Sequence, residues 1–461
     1  MQNFGYYQFG KHTVARVGVG VDRETVRELW SCFCCRAGEL TLEAGEENRI
    51  AVGNASFLPL GDGEEYTVLV TPEGIGIAAC DAKSLMRGLC ACLVRIEMKA
   101  GDTFTVPTGE IRSAFTVANR MIHLCVFPET ELFTLHRLVR LCGVLSYTHV
   151  VLEFWGMLKY DCMPELSWSH AFTKEEVAPI IREARALGME PIPMINHLGH
   201  ASSCRIDSGK HVVLDQNPSL QWMFTPDGWC WNIFSDEVRA LLKTMRGELC
   251  ELFGSGEYFH VGCDEAHIFS SDYYPQNGIA DYLGYLTDEV ASEGRRAILW
   301  GDMLLPYDCN SDNPEKYAAA WERSHHTRKL LEKLSPRSVI ADWHYEVQKV
   351  PVETVLEYQK AGFDVIGCPW DGRPNINAHY ATAVEASSHG LMMTTWHTLN
   401  SGTSAILYFA RKCGFPKTHW TDYAGHRNLE IAFLLRRLSP SLPTYAQSGF
   451  CPRQIKEVFD W

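Results

Sequence analysis

The sequence predicts an α/β protein, a (β/α)8 TIM barrel preceded by a small α+β domain. Three observations predict it. From about residue 113 onward, short β-rich runs alternate eight times with helical stretches. Before that point, strands run together and are followed by one helix, the pattern of a separate α+β layer. The alternative, an open doubly wound sheet, normally carries a glycine-rich phosphate turn after an early strand, and this chain has none. The expected division is 1–112 for the small domain and 113–461 for the barrel with a C-terminal helical segment.

In chain order, the apolar run at 12–21 and "EYTVLVTPEGIGIAAC" (65–80) read as strands, the second with a Gly-containing turn. "DAKSLMRGLCACLVRIEMKA" (81–100) reads as a helix with Asp81 as its N-cap. The barrel strands are expected at 118–127, 148–154, 190–196, 257–262, 296–302, 338–343, 364–370 and 391–397. Amphipathic helices are expected at 130–145, 173–188, 235–253 and 352–362. "TKEE" at 173–176 is a capping box, Thr173 bonding forward and Glu176 reaching back.

Composition narrows the partners. A formal net charge of −14 argues against a nucleic-acid footprint, which needs a basic face. No stretch is long and apolar enough to span a bilayer, and the N-terminus lacks the basic start and apolar run of a signal peptide. Cytoplasmic residence is the expectation. The 17 cysteines, densest in "SCFCC" at 31–35, then read mostly as buried apolar residues. No cofactor or metal is expected, although a structural metal stays an open alternative.

In a (β/α)8 barrel the active site lies at the C-terminal strand ends. Here those ends hold Asp264 and Glu265 (strand four), Trp300 and Asp302 (five), Trp343, His344 and Tyr345 (six), Trp370 and Asp371 (seven), and Trp396 (eight). His197 and His200 follow strand three, and Arg120 lies early in the first strand. Any one tryptophan is ordinarily core. Four at successive strand ends suit a sugar, whose C–H face packs on indoles while its hydroxyls bond carboxylates. Asp264 and Glu265 are adjacent, and neighbours on an extended strand point to opposite faces. One acid should therefore enter the pocket while the other sits at the rim. Their repulsion, with partial burial, should raise a pKa and favour a protonated acid near neutrality.

"HVGCDEA" (260–266) resembles the His-hydrophobic-Gly-X-Asp-Glu signature of glycoside hydrolase family 20, the β-N-acetylhexosaminidases. "GMEPIPMINHLGHASS" (188–203) resembles that family's preceding strand, and "IGIAACDAKSLMRGLCACL" (75–93) the end of its N-terminal domain. The resemblance implies an exo-acting enzyme on N-acetylhexosamine-terminated glycans, GlcNAc or GalNAc. Its nucleophile would be the substrate's acetamide, forming an oxazolinium with retention. Asp264 would orient the acetamide and Glu265 would serve as acid and base. Trp300, Trp343 and Trp396 would box the methyl, Tyr345 would bond the acetamide oxygen, and Arg120, His200 and His260 would line the sugar site.

The chain departs from the family pattern in ways that resemble a short, divergent exo-β-N-acetylglucosaminidase branch. Met194 stands where a glutamate is usual, Asn196 where an aspartate is usual, and Leu198 where proline is usual. Strand two ends in "LEFWGMLKY", which leaves Glu153 as the candidate carboxylate partner of His200. Thr398 replaces a glutamate that reads ring hydroxyls, and Trp370 with Asp371 takes the place of a tyrosine and aspartate. Two other classes fit parts of the pattern: a metal hydrolase using His197, His200, His260, Asp264 and His267, and a non-catalytic sugar-binding barrel.

Overall fold

Eight short apolar runs close into one parallel barrel in this computed structural model. The residues described are 5–202, 213–266, 278–305, 328–396, 399, 402–417 and 427–440. The barrel strands are Asn119–Val126, His149–Phe154, Glu190–Met194, Tyr258–Gly262, Arg296–Trp300, Val339–Asp342, Asp364–Gly367 and Gly390–Thr394, here called the first to eighth. They pair in sequence order, and the eighth pairs with the first. Helices outside and side chains inside bury both faces, so the strands read as apolar runs rather than as alternation. Met121, Val151, Ile192, Ile298, Val339 and Met392 belong to the barrel's inner cluster.

The predicted elements are present with shorter ends. Helices run over Leu132–Val144, Lys174–Ala186, Asp236–Phe253 and Glu353–Lys360. The Thr173–Glu176 capping box forms in both directions, at 3.3 and 2.8 Å. Asp81 caps its helix by accepting from the Ser84 N–H at 2.6 Å. That helix stops at Leu93 rather than continuing toward residue 100. The chain instead enters strand Glu97–Lys99, which pairs with Thr103–Thr105. Backbone pairing there satisfies the groups that a longer helix would have used.

Ahead of the barrel, a six-stranded sheet takes the order Glu39–Ala44, His12–Val17, Arg49–Gly53, Gly74–Ala79, Tyr66–Thr71, Gly109–Arg112. Helices Arg23–Phe33 and Ala82–Leu93 pack on it, and the second also meets the first barrel helix. Arg120 joins the two layers. It lies one residue into the first strand, at the end opposite the C-terminal rim. Its guanidinium donates to the carbonyls of Ser146, Val117 and Ala118 at 3.1, 2.9 and 3.2 Å, and pairs with Glu65 at 3.0 Å. It also lies over the Phe115 ring at 3.8 Å. Arg120 is therefore no part of a sugar site at the rim. A first-strand arginine reaches the rim only from the strand's C-terminal end, and this one is spent on the domain junction.

Truncating a buried, multiply bonded ion-pair partner is costly, whereas exposed pairs contribute little. Arg120→Ala should lower the unfolding free energy by about 3 kcal/mol. Arg112→Ala, which removes an exposed pair with Glu64, should change it by under about 1 kcal/mol. Urea unfolding of both variants reads the difference, and equal losses would refute the junction role.

Candidate active site

The fourth strand stops at Gly262, and the backbone then coils. Gly262, Cys263 and Glu265 have φ of +68°, +72° and +46°. Only glycine fits the first position, because a Cβ there would lie 1.6 Å from Asn196 Oδ1. His200, at the end of the facing loop, also has positive φ, +57°. Gly199 beside it lets the loops meet, since a Cβ there would lie 2.1 Å from the Asp264 carbonyl. Non-glycine residues in this region are uncommon, and such strain concentrates at functional sites.

The coil overturns the expectation that the two acids face apart. Asp264 Oδ2 lies 3.4 Å and Glu265 Oε2 3.3 Å from the same atom, His200 Nε2. The opposite-face rule holds for extended chain, and the chain here is no longer extended. Asp264 is buried and Glu265 partly exposed. Burial by itself would discharge His200, but Asp264, followed by Glu265, outweighs it and lifts the imidazole to about 9. The site therefore sets an imidazolium against the Asp264–Glu265 acid pair. Trp229 lies tilted against the His200 ring at 4.5 Å, and Trp155 meets it edge-on at 5.2 Å. Trp229 Nε1 also donates to the Glu265 carbonyl at 2.6 Å.

Asp302 ties this loop to the aromatic wall. Its Oδ2 accepts the Glu265 backbone N–H at 3.0 Å, and its Oδ1 accepts the Trp343 indole N–H at 3.2 Å. Burial first, then the Asp264 charge, pushes the Asp302 carboxyl well above the ordinary range. The wall itself is continuous. Trp300 and Trp396 have ring centroids 5.5 Å apart, Trp343 and Tyr345 5.2 Å, and Tyr345 and Trp370 5.4 Å. The Trp396 indole N–H donates to the Tyr345 hydroxyl at 2.6 Å. Trp300 is fully buried, while Trp343, Tyr345, Trp370 and Trp396 are half-buried at the rim.

Other expected site residues fall elsewhere. His260 is fully buried against Trp300, ring centroids 4.5 Å apart, and its Nδ1 accepts the Gly262 N–H. It supports the wall from below and does not line the pocket. Glu153 does not partner His200. It accepts from His123 Nε2 and from the Asn196 amide, each at 2.8 Å. Asp371 is exposed beside Trp370. The ligand set of the metal-hydrolase reading does not assemble, because His197 sets Nε2 against Arg246 at 3.2 Å and His260 lies under Trp300. His267 and Thr398 lie outside the described residues. Sequence reasoning missed Trp229 and Trp155, which sit on irregular loops without periodicity. Asp302 was visible as a strand-end acid, but its two partners were not.

Fold and site together define a (β/α)8 barrel with paired acids and an aromatic wall at its C-terminal rim. Residues 148–371 match the family model described as glycosyl hydrolase family 20, catalytic domain. The chain thus carries a catalytic domain of glycoside hydrolase family 20. Among curated proteins it is similar to hexosaminidase D of Bos taurus, 27% identical over 138 residues. That match covers 30% of this chain and 36% of the relative, about a third of its length. Solved structures give the fold. The chitobiase of Flavobacterium johnsoniae superposes with a TM-score of 0.65 at 16% identity, covering 94% of this chain and 70% of that one. The β-N-acetylhexosaminidase of Streptomyces coelicolor gives 0.64 at 16%, covering 96% of each.

The imidazolium has a pH signature. A group whose pKa is raised from the ordinary 6.5 to about 9 on folding contributes stability that is full below 6.5 and lost as pH rises through 9. Stability of the parent should therefore fall between pH 6.5 and 9 relative to His200→Gln, followed by urea unfolding across that window. Parallel curves would show that His200 is not charged.

Proposed function

We propose that the protein is an exo-acting β-N-acetylhexosaminidase. It would remove terminal β-linked GlcNAc or GalNAc with retention, using the substrate's acetamide as nucleophile. The observation that carries this reading is the convergence of Asp264 and Glu265 on one nitrogen of His200, Nε2, beside the aromatic wall. An ordinary retaining pair needs its two carboxylates on opposite sides of the scissile bond, about 5–5.5 Å apart. Two acids on adjacent residues, both turned to one imidazolium, suit a different division of labour.

In this division Asp264 faces the acetamide N–H and stabilises the positive charge that develops as the oxygen attacks C1. Glu265, more exposed, protonates the leaving oxygen and then takes a proton from the incoming water. His200 holds both carboxylates in place. Trp343 and Trp396, backed by the fully buried Trp300, enclose the acetamide methyl, and the Tyr345 hydroxyl, already oriented by Trp396, donates to the acetamide oxygen. Asp302 keeps the Glu265 backbone and the Trp343 ring in fixed register. The names of the relatives point the same way. Hexosaminidase D and chitobiase are named for this chemistry, and a related exo-β-N-acetylglucosaminidase from Vibrio harveyi was solved with N-acetylglucosamine.

An aryl β-N-acetylglucosaminide should turn over, while the matching glucoside, lacking the acetamide, should be nearly inert. A thiazoline mimic of the oxazolinium should bind far more tightly than the free sugar, and Asp264→Asn should weaken that binding. Comparable turnover of glucoside and N-acetylglucosaminide, with a trapped glycosyl-enzyme, would sink the reading.

Glu265→Gln should cut hydrolysis of a poor leaving group by about 10²–10⁴-fold. An activated aryl substrate, which needs less protonation, should suffer less in its first step. Equal losses on both substrates, with that step limiting in each, would remove Glu265 from the acid role.

A further inference from the structure

Beside the catalytic acids lies a second cluster with different chemistry. His123 and Cys125 are two residues apart on the first barrel strand, so their side chains share the inner face. Cys125 pairs in register with Glu153 on the second strand. The three side chains converge: His123 Nε2 lies 2.8 Å and Cys125 Sγ 3.6 Å from the same oxygen, Glu153 Oε2. All three donor atoms fall within 4.8 Å of one another, and all three residues are buried.

We propose that His123, Cys125 and Glu153 bind a single divalent ion of the zinc class at the floor of the pocket. An imidazole nitrogen, a thiolate and a carboxylate make a donor set for zinc rather than for magnesium or calcium. Zinc–ligand bonds of about 2.0–2.3 Å put neighbouring ligand atoms roughly 3.3–3.7 Å apart in a tetrahedron. The observed spacings need only small movements to reach that. Charge also balances. Binding expels the thiol proton, and the thiolate and carboxylate then neutralise the ion, so no net charge is left buried.

The imidazole can accommodate this change. Its proton moves from Nε2 to Nδ1, an atom that makes no hydrogen bond among the described residues, so no existing bond is broken there. Asn196, whose amide donates to the other Glu153 oxygen at 2.8 Å, supplies the outer bond that orients a ligating carboxylate. A cavity of about 20 Å³, room for one water, adjoins Glu153 and is lined also by Met194, Asn196 and His200. The ion would also fix the His123 ring, which packs edge-on against Trp396 at 4.9 Å and Trp300 at 5.7 Å. This site does not depend on the proposed hydrolase activity, and its donors differ from the acids assigned to that chemistry.

The test uses the full chain, stripped with a chelator and dialysed against zinc or cobalt. One equivalent of zinc by elemental analysis is expected, with a rise in melting temperature. The cobalt form should show a thiolate-to-cobalt charge-transfer band in the near ultraviolet. Cys125→Ser should lose the band, the equivalent of zinc and the thermal shift, while Cys35→Ser, on the exposed Cys35, should keep all three. If Cys125→Ser does not fold, Glu153→Gln takes its place and should lose the zinc and the thermal shift. Failure of the parent to hold a stoichiometric ion overturns the proposal, and so does a band that survives Cys125→Ser. In either case the cluster is a hydrogen-bonded carboxylate only.

Discussion

A buried imidazolium persists only where negative charge faces it, and His200 is the point on which the rim is organised. Burial alone would discharge the ring, and Asp264 and Glu265 outweigh that burial. The same contact holds two acids close together on adjacent residues. The local backbone serves this arrangement. Positive φ at His200, Gly262, Cys263 and Glu265 turns both loops so that three side chains meet, at a conformational cost that a plain strand end would avoid. Asp302 then carries the geometry outward, from the Glu265 backbone to the Trp343 indole and so to the wall. Acid pair and aromatic wall are thus one mechanically connected unit.

The barrel was legible because its signal is local. Each strand is a buried apolar run, each helix an amphipathic period, and their alternation leaves few topologies. The strand-end residues were legible for a related reason, since position in the repeat places Asp264, Trp343 and Trp396 at the rim, with Trp300 buried behind them. What failed depended on direction rather than position. Arg120 lies on the right strand but at its wrong end, where carbonyls before strands one and two and the Glu65 carboxylate claim it. His260 lies on the right strand with its ring turned down under Trp300. The opposed-face expectation for the acid pair assumed extended backbone, and a single glycine with an Asn196 side chain against it removed that assumption.

The departures from the family pattern are not independent of one another. The resemblance places a glutamate at position 194 and an aspartate at 196, where this chain has Met194 and Asn196. Met194 pairs in register with Glu153 on one side and His260 on the other, all three buried. A glutamate there would set a second buried carboxylate beside Glu153, and an aspartate at 196 a third. Unpaired buried charges of one sign are strongly unfavourable. Here the acid is carried on the second strand, and its neighbours on the third are neutral. The amide of Asn196 donates to Glu153 where an aspartate would repel it. With Glu153 buried on the second strand, neutral side chains at 194 and 196 keep further acids from being packed beside it, beneath the rim formed by Asp264, Glu265 and His200.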